Sequence, residues 1–126
     1  MSRILVAEDS FALANLLDFT LKNAGFEVSL HRTGADACAA AMSQPFDIIL
    51  LDQQMPRMTG IEVVEHLRSG GPNVDTPTFL CTAKSHEIDR EYVQGQLKVV
   101  TVFDKPFSPK DLVAALKTTS LATNAS

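Results

Sequence analysis

This chain of 126 residues is short of several signatures that would identify a protein quickly. Its two cysteines, Cys38 and Cys81, stand in neither a CxxC nor any other metal-binding spacing, which excludes a zinc framework and leaves both as small apolar residues of a reducing compartment. No apolar run approaches bilayer length. The run Ile4 to Ala7 is too short for a signal-peptide core and meets acids at once, so no membrane contact and a cytoplasmic address are expected. Positive charge is not in excess: 11 Lys and Arg face 15 Asp and Glu, a net charge of −4. With no basic stripe to displace counterions from phosphates and no helix-turn-helix pattern, direct nucleic-acid binding is not expected. Internal repeats and low-complexity stretches are absent. No glycine-rich or Ser/Thr-rich phosphate loop follows the first apolar run, which argues against a flavin site. His31, His66 and His86 are isolated from one another and from the cysteines, and read as surface residues.

What is present points to one globular domain: 45% hydrophobic and 21% charged residues are ordinary for a folded soluble chain of this length. Apolar runs of strand length alternate with helical patterns throughout, and the runs are continuous, as for parallel strands covered on both faces. Strands are expected near Arg3–Ala7, Glu27–His31, Asp47–Leu51, Thr78–Cys81 and Val99–Phe103, giving an α/β fold with a doubly wound five-stranded parallel sheet. Asp47 reads as a turn residue before its strand.

The first helix places Leu13, Leu16, Leu17, Thr20, Leu21 and Ala24 on one face, and Gly25 ends it. A second, about Ala35 to Met42, buries Ala37, Cys38 and Ala41. A third buries Ile61, Val64 and Leu67 and is ended by Gly70, Gly71 and Pro72. The fourth, roughly His86 to Gln94, is mostly polar with Ile88 and Tyr92 as anchors, so it is a candidate for motion or partner contact. The last opens with Ser108 as N-cap, Pro109 and Asp111, and faces Leu112, Ala115 and Leu116 to the core. Residues 118–126 are small and polar and read as a frayed tail or the start of a linker; the domain is taken as residues 1–120, with 121–126 flexible.

Three apolar runs end in acids: Ile4 to Ala7 runs into Glu8 and Asp9, Ile48 to Leu51 into Asp52, and Val99 to Phe103 through Asp104 to Lys105 and Pro106. In a doubly wound sheet, ligands sit beyond the carboxyl ends of the strands where the strand order reverses. Glu8, Asp9, Asp52, Thr82 and Lys105 all fall at such ends. Three clustered carboxylates resist ionisation without a cation, so they read as a cradle for a hard divalent metal with a lysine alongside. Their three negative charges match two from Mg²⁺ and one from Lys105, leaving a neutral site until an anion such as a phosphoryl group arrives. Taken singly, each residue has a plainer reading: Glu8 and Asp9 as helix-capping acids, Thr82 as a strand-end threonine, Lys105 as a solvated lysine.

The stretches ILVAEDS, DIILLDQQMPRMTG, TFLCTAK and FDKPF, in this order and spacing, closely resemble the receiver domain of two-component response regulators, in a chemotaxis-regulator-like single-domain form. The resemblance covers essentially the whole chain. It implies a flavodoxin-like (βα)5 fold with strand order 2-1-3-4-5, and a signalling module rather than an enzyme with external turnover. Asp52 would accept a phosphoryl group from the phosphohistidine of a histidine kinase or histidine phosphotransfer protein. Glu8, Asp9, Asp52 and the backbone carbonyl of Gln54 would hold Mg²⁺. Thr82 and Lys105 would bind phosphoryl oxygens, a cis Lys105–Pro106 bond would aim the lysine inward, and a downstream target protein would read the surface of helix 4, strand 5 and helix 5. Met55, Pro56 and Gly60 would shape the loop.

The chain departs from this pattern where receivers place a tyrosine or phenylalanine three residues before the lysine. Val102 stands there, which puts the usual aromatic rotamer switch in doubt. Gln54 and Lys84, two places after Asp52 and Thr82, occupy positions that tune dephosphorylation in receivers. An aspartyl-phosphate phosphohydrolase is the competing enzymatic reading, but such enzymes need an acid where Gln54 stands. A pseudo-receiver acting only as an interaction module is the third reading, opposed by the intact site residues.

Overall fold

The computed structural model describes residues 2–125, and side chains from 2 to 119. Five parallel strands, β1 (Arg3–Ala7), β2 (Glu27–His31), β3 (Ile48–Asp52), β4 (Thr78–Thr82) and β5 (Thr101–Asp104), form one sheet in the order β2-β1-β3-β4-β5. The α/β class and the strand order expected from the sequence are both found. Helices α1 (Phe11–Asn23), α2 (Gly34–Ser43), α3 (Gly60–Arg68) and α4 (Pro109–Ala125) connect and flank the strands.

Because side chains alternate across a strand, each apolar run feeds two cores. Leu5, Ala7, Ile49, Leu51, Leu80 and Val102 pack with α2 and α3 on one face. Ile4, Val6, Ile48, Leu50, Phe79 and Cys81 pack with α1 and α4 on the other. The strand order reverses between β1 and β3, and the crevice at their carboxyl ends is where the acids lie.

Several boundaries differ from the sequence reading, each for a local reason. β3 starts at Ile48, because Asp47 accepts the Arg3 backbone N–H at 2.7 Å and so serves as the expected turn residue. Asp52 and Thr82 belong to their strands, since the ladder continues through the Asp52–Cys81 and Thr82–Asp104 pairs. In α1 the buried set is Ala14, Leu17 and Leu21, whereas Leu16 is turned outward at 45% exposure. His31 is half-buried and shares a 2.9 Å hydrogen bond with Ser29, while His66 and His86 are exposed as expected. The backbone of α4 is helical to Ala125, beyond residue 120 where a tail is expected; Ser126 and the side chains of 120–125, on which the flexible-tail expectation falls, lie outside the described residues.

The expected fourth helix is the largest departure. In its place stand a 3₁₀ turn, Ser85–Glu87, and a short π-helical segment, Glu91–Gln96, closed by the Leu97 N–H donating to the Tyr92 carbonyl five residues back at 2.9 Å. Only Val93 of the π-helical segment is buried. The Tyr92 hydroxyl donates to the Glu65 carboxylate of α3, and Arg68 Nε donates to the Leu97 carbonyl at 2.7 Å, so two side-chain bonds tie this weakly embedded segment to α3.

Asn73 holds the opposite end of the sheet together. Buried to 1% exposure, it accepts the Phe46 N–H at 2.8 Å and donates to the carbonyls of Ala41 at 2.6 Å and Gln44 at 2.8 Å. Replacing it with alanine takes the partner from three backbone groups, two of them buried, so Asn73→Ala is expected to cost about 2 kcal/mol. Urea unfolding checks this, and a loss near zero would show that water replaces the amide freely.

Candidate functional site

The site is assembled by the last rungs of the sheet. The Glu8 N–H donates to the His31 carbonyl at 3.0 Å, Gln53 N–H to the Cys81 carbonyl at 2.9 Å and Lys105 N–H to the Thr82 carbonyl at 2.8 Å. These bonds carry the ladder one residue past β1, β3 and β5 and fix the backbone that presents Glu8, Asp52, Thr82 and Lys105. The two-residue period then decides which side chains meet. Glu8 follows Ile4 and Val6, Asp52 follows Ile48 and Leu50, and Cys81 follows Phe79, so all three share the α1–α4 face. Their ligand atoms lie within 4.8 Å of one another.

Lys105 completes this cluster. Its Nζ is 3.0 Å from Glu8 Oε1 and 3.1 Å from Asp52 Oδ2, bridging two carboxylates that are 0% and 1% exposed. The Lys105–Pro106 bond is cis, as expected. Burial disfavours the ammonium, but the hydrogen bond to Glu8 and the charge of Asp52 outweigh it and hold the Lys105 pKa above the usual lysine value. For Asp52, burial and then the like charge of Glu8 outweigh the help of Lys105, and its pKa is pushed up to about 7. One cation does not satisfy the acids gathered here.

Asp9 does not join the compact cluster. Its side chain is exposed, and the Arg32 guanidinium donates to its backbone carbonyl at 2.7 Å. It stands at the rim because a residue adjacent to an inward one faces the other way. Cys81 is the neighbour that sequence reasoning missed; its pairing opposite Asp52 becomes visible only once the β3–β4 register is known. Its thiol donates to the Leu51 carbonyl at 3.7 Å, and burial raises its pKa far above the ordinary thiol value, so it lines the floor of the site as a neutral group.

The loop after β3 supplies the rest. Gln53 accepts the Ile61 N–H through its side chain at 2.8 Å, Gly60 N–H reaches the Gln53 carbonyl at 3.2 Å, and Thr59 with Glu62 forms a capping box on α3. Gly60 is required by space: a Cβ there would lie 2.7 Å from the Asp52 carbonyl oxygen. Gly34 is more constrained still, since its Cβ would fall 1.9 Å from the Met58 carbonyl oxygen, locking the start of α2 against this loop. Gln54 N–H donates to Asp52 Oδ1 at 3.3 Å. Thr82, fully buried, donates its hydroxyl to Gln54 Oε1 at 3.0 Å and accepts the Lys84 N–H at 2.9 Å. Val102 is buried in the core at 6% exposure, and Phe103 stacks on Phe79 with centroids 5.6 Å apart on the other face.

The donor set fits a hard divalent cation. Glu8 and Asp52 offer carboxylate oxygens around a point already occupied by an ammonium, Asp9 stands at the rim, and the raised Asp52 pKa marks unmet demand for positive charge.

Comparison with known proteins places this arrangement. The sequence matches the response regulator receiver domain family over residues 4–117. It is 35% identical over 117 residues to the phosphate regulon transcriptional regulatory protein PhoB of Escherichia coli (strain K12), covering 91% of this chain and 50% of that protein. The chain spans about half the length of the curated relatives it matches. In fold it is similar to a CheY-like response regulator receiver domain protein from Methanospirillum hungatei JF-1, with a TM-score of 0.89, 21% identity, and coverage of 99% of this chain and 98% of that one. It is also similar to the receiver domain of sensor histidine kinase PA1611 from Pseudomonas aeruginosa PAO1, with a TM-score of 0.83, 26% identity, and coverage of 94% and 97%; that structure has a magnesium ion coordinated in its active-site cleft. Sequence match, strand order and the lysine-bridged acids agree: this chain belongs to the response regulator receiver domain family.

Proposed function

We propose that this receiver domain accepts a phosphoryl group on Asp52 from the phosphohistidine of a histidine kinase or histidine phosphotransfer protein. The observation that carries this is the Lys105 ammonium held between Glu8 and Asp52 at the carboxyl edge of the sheet. An Asp52 carboxylate oxygen attacks phosphorus, the P–N bond to the donor imidazole breaks, and the imidazole leaves with the electron pair and takes a proton. Phosphoryl transfer asks for positioning and charge neutralisation more than covalent chemistry from the protein. Lys105 pairs with a phosphoryl oxygen, and Thr82 donates its hydroxyl to another.

Glu8, Asp9, Asp52 and the Gln54 backbone carbonyl would hold Mg²⁺. When bound, that ion supplies two positive charges that offset the developing charge on the transferred group. An apolar groove lined by Leu13, Ala83, Pro106 and Phe107 opens beside Lys105, and Phe11 is 68% exposed on the same helix as Leu13. This face suits the donor protein. A downstream target protein would read the surface formed by Ser85–Gln96, β5 and α4, where the π-helical segment is held chiefly through Val93 and two side-chain bonds. Among the described residues no helix is long and apolar enough to cross a membrane. The module proposed here is cytoplasmic, makes no direct nucleic-acid contact and turns over no external substrate.

Incubation with acetyl phosphate and Mg²⁺, followed by intact mass, tests the reading. The expected result is a metal-dependent gain of one phosphoryl group that is lost in Asp52→Asn. Multiple turnovers on a small phosphoester would instead identify a hydrolase, and no modification would identify an interaction module.

A further inference from the structure

We propose that the Gln54 side chain is a latch that holds Thr82 in the unphosphorylated arrangement, and that its release, rather than an aromatic rotamer change, starts the conformational response. This rests on the assignment of Asp52 as phosphoacceptor and specifies how that site is regulated. A threonine hydroxyl has one proton to donate. In this structure that proton goes to Gln54 Oε1 at 3.0 Å, while the hydroxyl oxygen accepts the Lys84 N–H at 2.9 Å. A phosphoryl oxygen is an acceptor only, so Thr82 can bond it only by leaving Gln54. The two bonds exclude each other by stoichiometry, and Gln54 Oε1 is therefore an intramolecular competitor for the phosphoryl group.

The direction of the competition follows from charge. A carboxamide oxygen is a neutral acceptor, whereas a phosphoryl oxygen is charged and makes a hydrogen bond roughly twice as strong. The latch therefore stays closed without the phosphoryl group and opens with it. Thr82 is fully buried, so water does not readily take the place of either partner.

The consequence reaches beyond the site. The Thr82 oxygen holds the Lys84 amide, and the Lys84 carbonyl in turn accepts the Glu87 N–H at 2.9 Å within the 3₁₀ turn Ser85–Glu87. A shift of Thr82 toward Asp52 draws on Lys84 directly, and through it on the turn that leads to the π-helical segment. Such a relay needs no side chain at residue 102 to rotate. Val102 is packed against the α2–α3 face with 6% exposure and has no ring to swing. Gln54 is thus a positioning residue, acting through Thr82.

The test uses the full chain with Mg²⁺ and beryllofluoride, a stable mimic of the phosphoryl group, with affinity read from amide chemical shifts including that of Lys84. Gln54→Met keeps the length and the backbone carbonyl but removes the acceptor, and is expected to bind beryllofluoride about five-fold tighter, the worth of one neutral hydrogen bond. In a Thr82→Val background the same change is expected to have no effect on affinity, because there is no hydroxyl left to release. The metal-bound, beryllofluoride-free Gln54→Met protein should also show a displaced Lys84 amide resonance. Equal affinity in wild type and Gln54→Met overturns the latch alone, as does a gain that persists in Thr82→Val, which would assign Gln54 a purely steric role. Binding in Gln54→Met but not in wild type would support a stronger latch. Binding in neither variant overturns the receiver reading and the latch with it.

Discussion

Asp52→Asn is expected to make the metal-free protein more stable at pH 8, by about 2 kcal/mol, even though it removes the group proposed to carry the chemistry. Asp52 is buried beside Glu8, and its pKa rises from an ordinary 3.8 to about 7. A shift of that size corresponds to roughly 4 kcal/mol of penalty on the ionised form. About half of it is expected to survive screening at the mouth of the site and the weaker grip of an amide on Lys105. Between pH 3.8 and 7 the folded protein binds more protons than the unfolded chain, so stability falls as pH rises through that window and is fully reduced above it. The advantage of asparagine should accordingly be near zero at pH 4, grow through the window and level off above pH 7. Urea unfolding in chelator at pH 4 and pH 8 measures it. A gain of equal size at both pH values would refute the electrostatic origin, and added Mg²⁺ should shrink the gain at pH 8.

Lys105→Met is expected to do the reverse. Removing the cation leaves Glu8 and Asp52, at 0% and 1% exposure, facing each other without their bridge. Breaking a buried ion pair from one side costs about 3–5 kcal/mol, because the remaining charge is desolvated and unpaired. The loss should be greatest at pH 8 and smaller at pH 5, where Asp52 takes up a proton and can donate it to Glu8. Mg²⁺ should return much of the lost stability, since a divalent ion can replace the ammonium between the carboxylates. A loss of the same size at pH 5 and pH 8, untouched by Mg²⁺, would point to packing around the lysine stem instead. Paired with Asp52→Asn, this substitution separates the two causes that set the site: too much negative charge, and the one cation that moderates it.

Much of the fold was legible because its signals are local. Continuous runs such as Ile48 to Leu51 can only be satisfied by strands covered on both sides, and Ser108, Pro109 and Asp111 announce a helix start by their own hydrogen-bonding and φ preferences. Ser108 does accept the Asp111 N–H, at 3.4 Å. The fourth helix was the weak point, since a polar stretch with two anchors carries little periodic signal, and the bonds of Tyr92 and Arg68 that tie the observed segment and its end to α3 join residues distant in sequence. Leu16 shows the same limit on a smaller scale: on a helical wheel it sits near the buried stripe, and only the packing of Ala14, Leu17 and Leu21 against the sheet leaves it outside.

By itself the sequence determined the layered α/β class and the types of residue delivered to the carboxyl ends of the strands, because hydrophobic period and strand-end chemistry are written in neighbouring residues. The tertiary structure decided which of them meet: Glu8 inward and Asp9 at the rim, Cys81 beneath Asp52, Asn73 binding three backbone groups, and Thr82 bonded to Gln54 across 28 residues. The reason is directional. A strand-end side chain turns through half a circle for each residue of register, and a hydrogen bond between distant loops exists only where packing brings donor and acceptor within about 3 Å of each other.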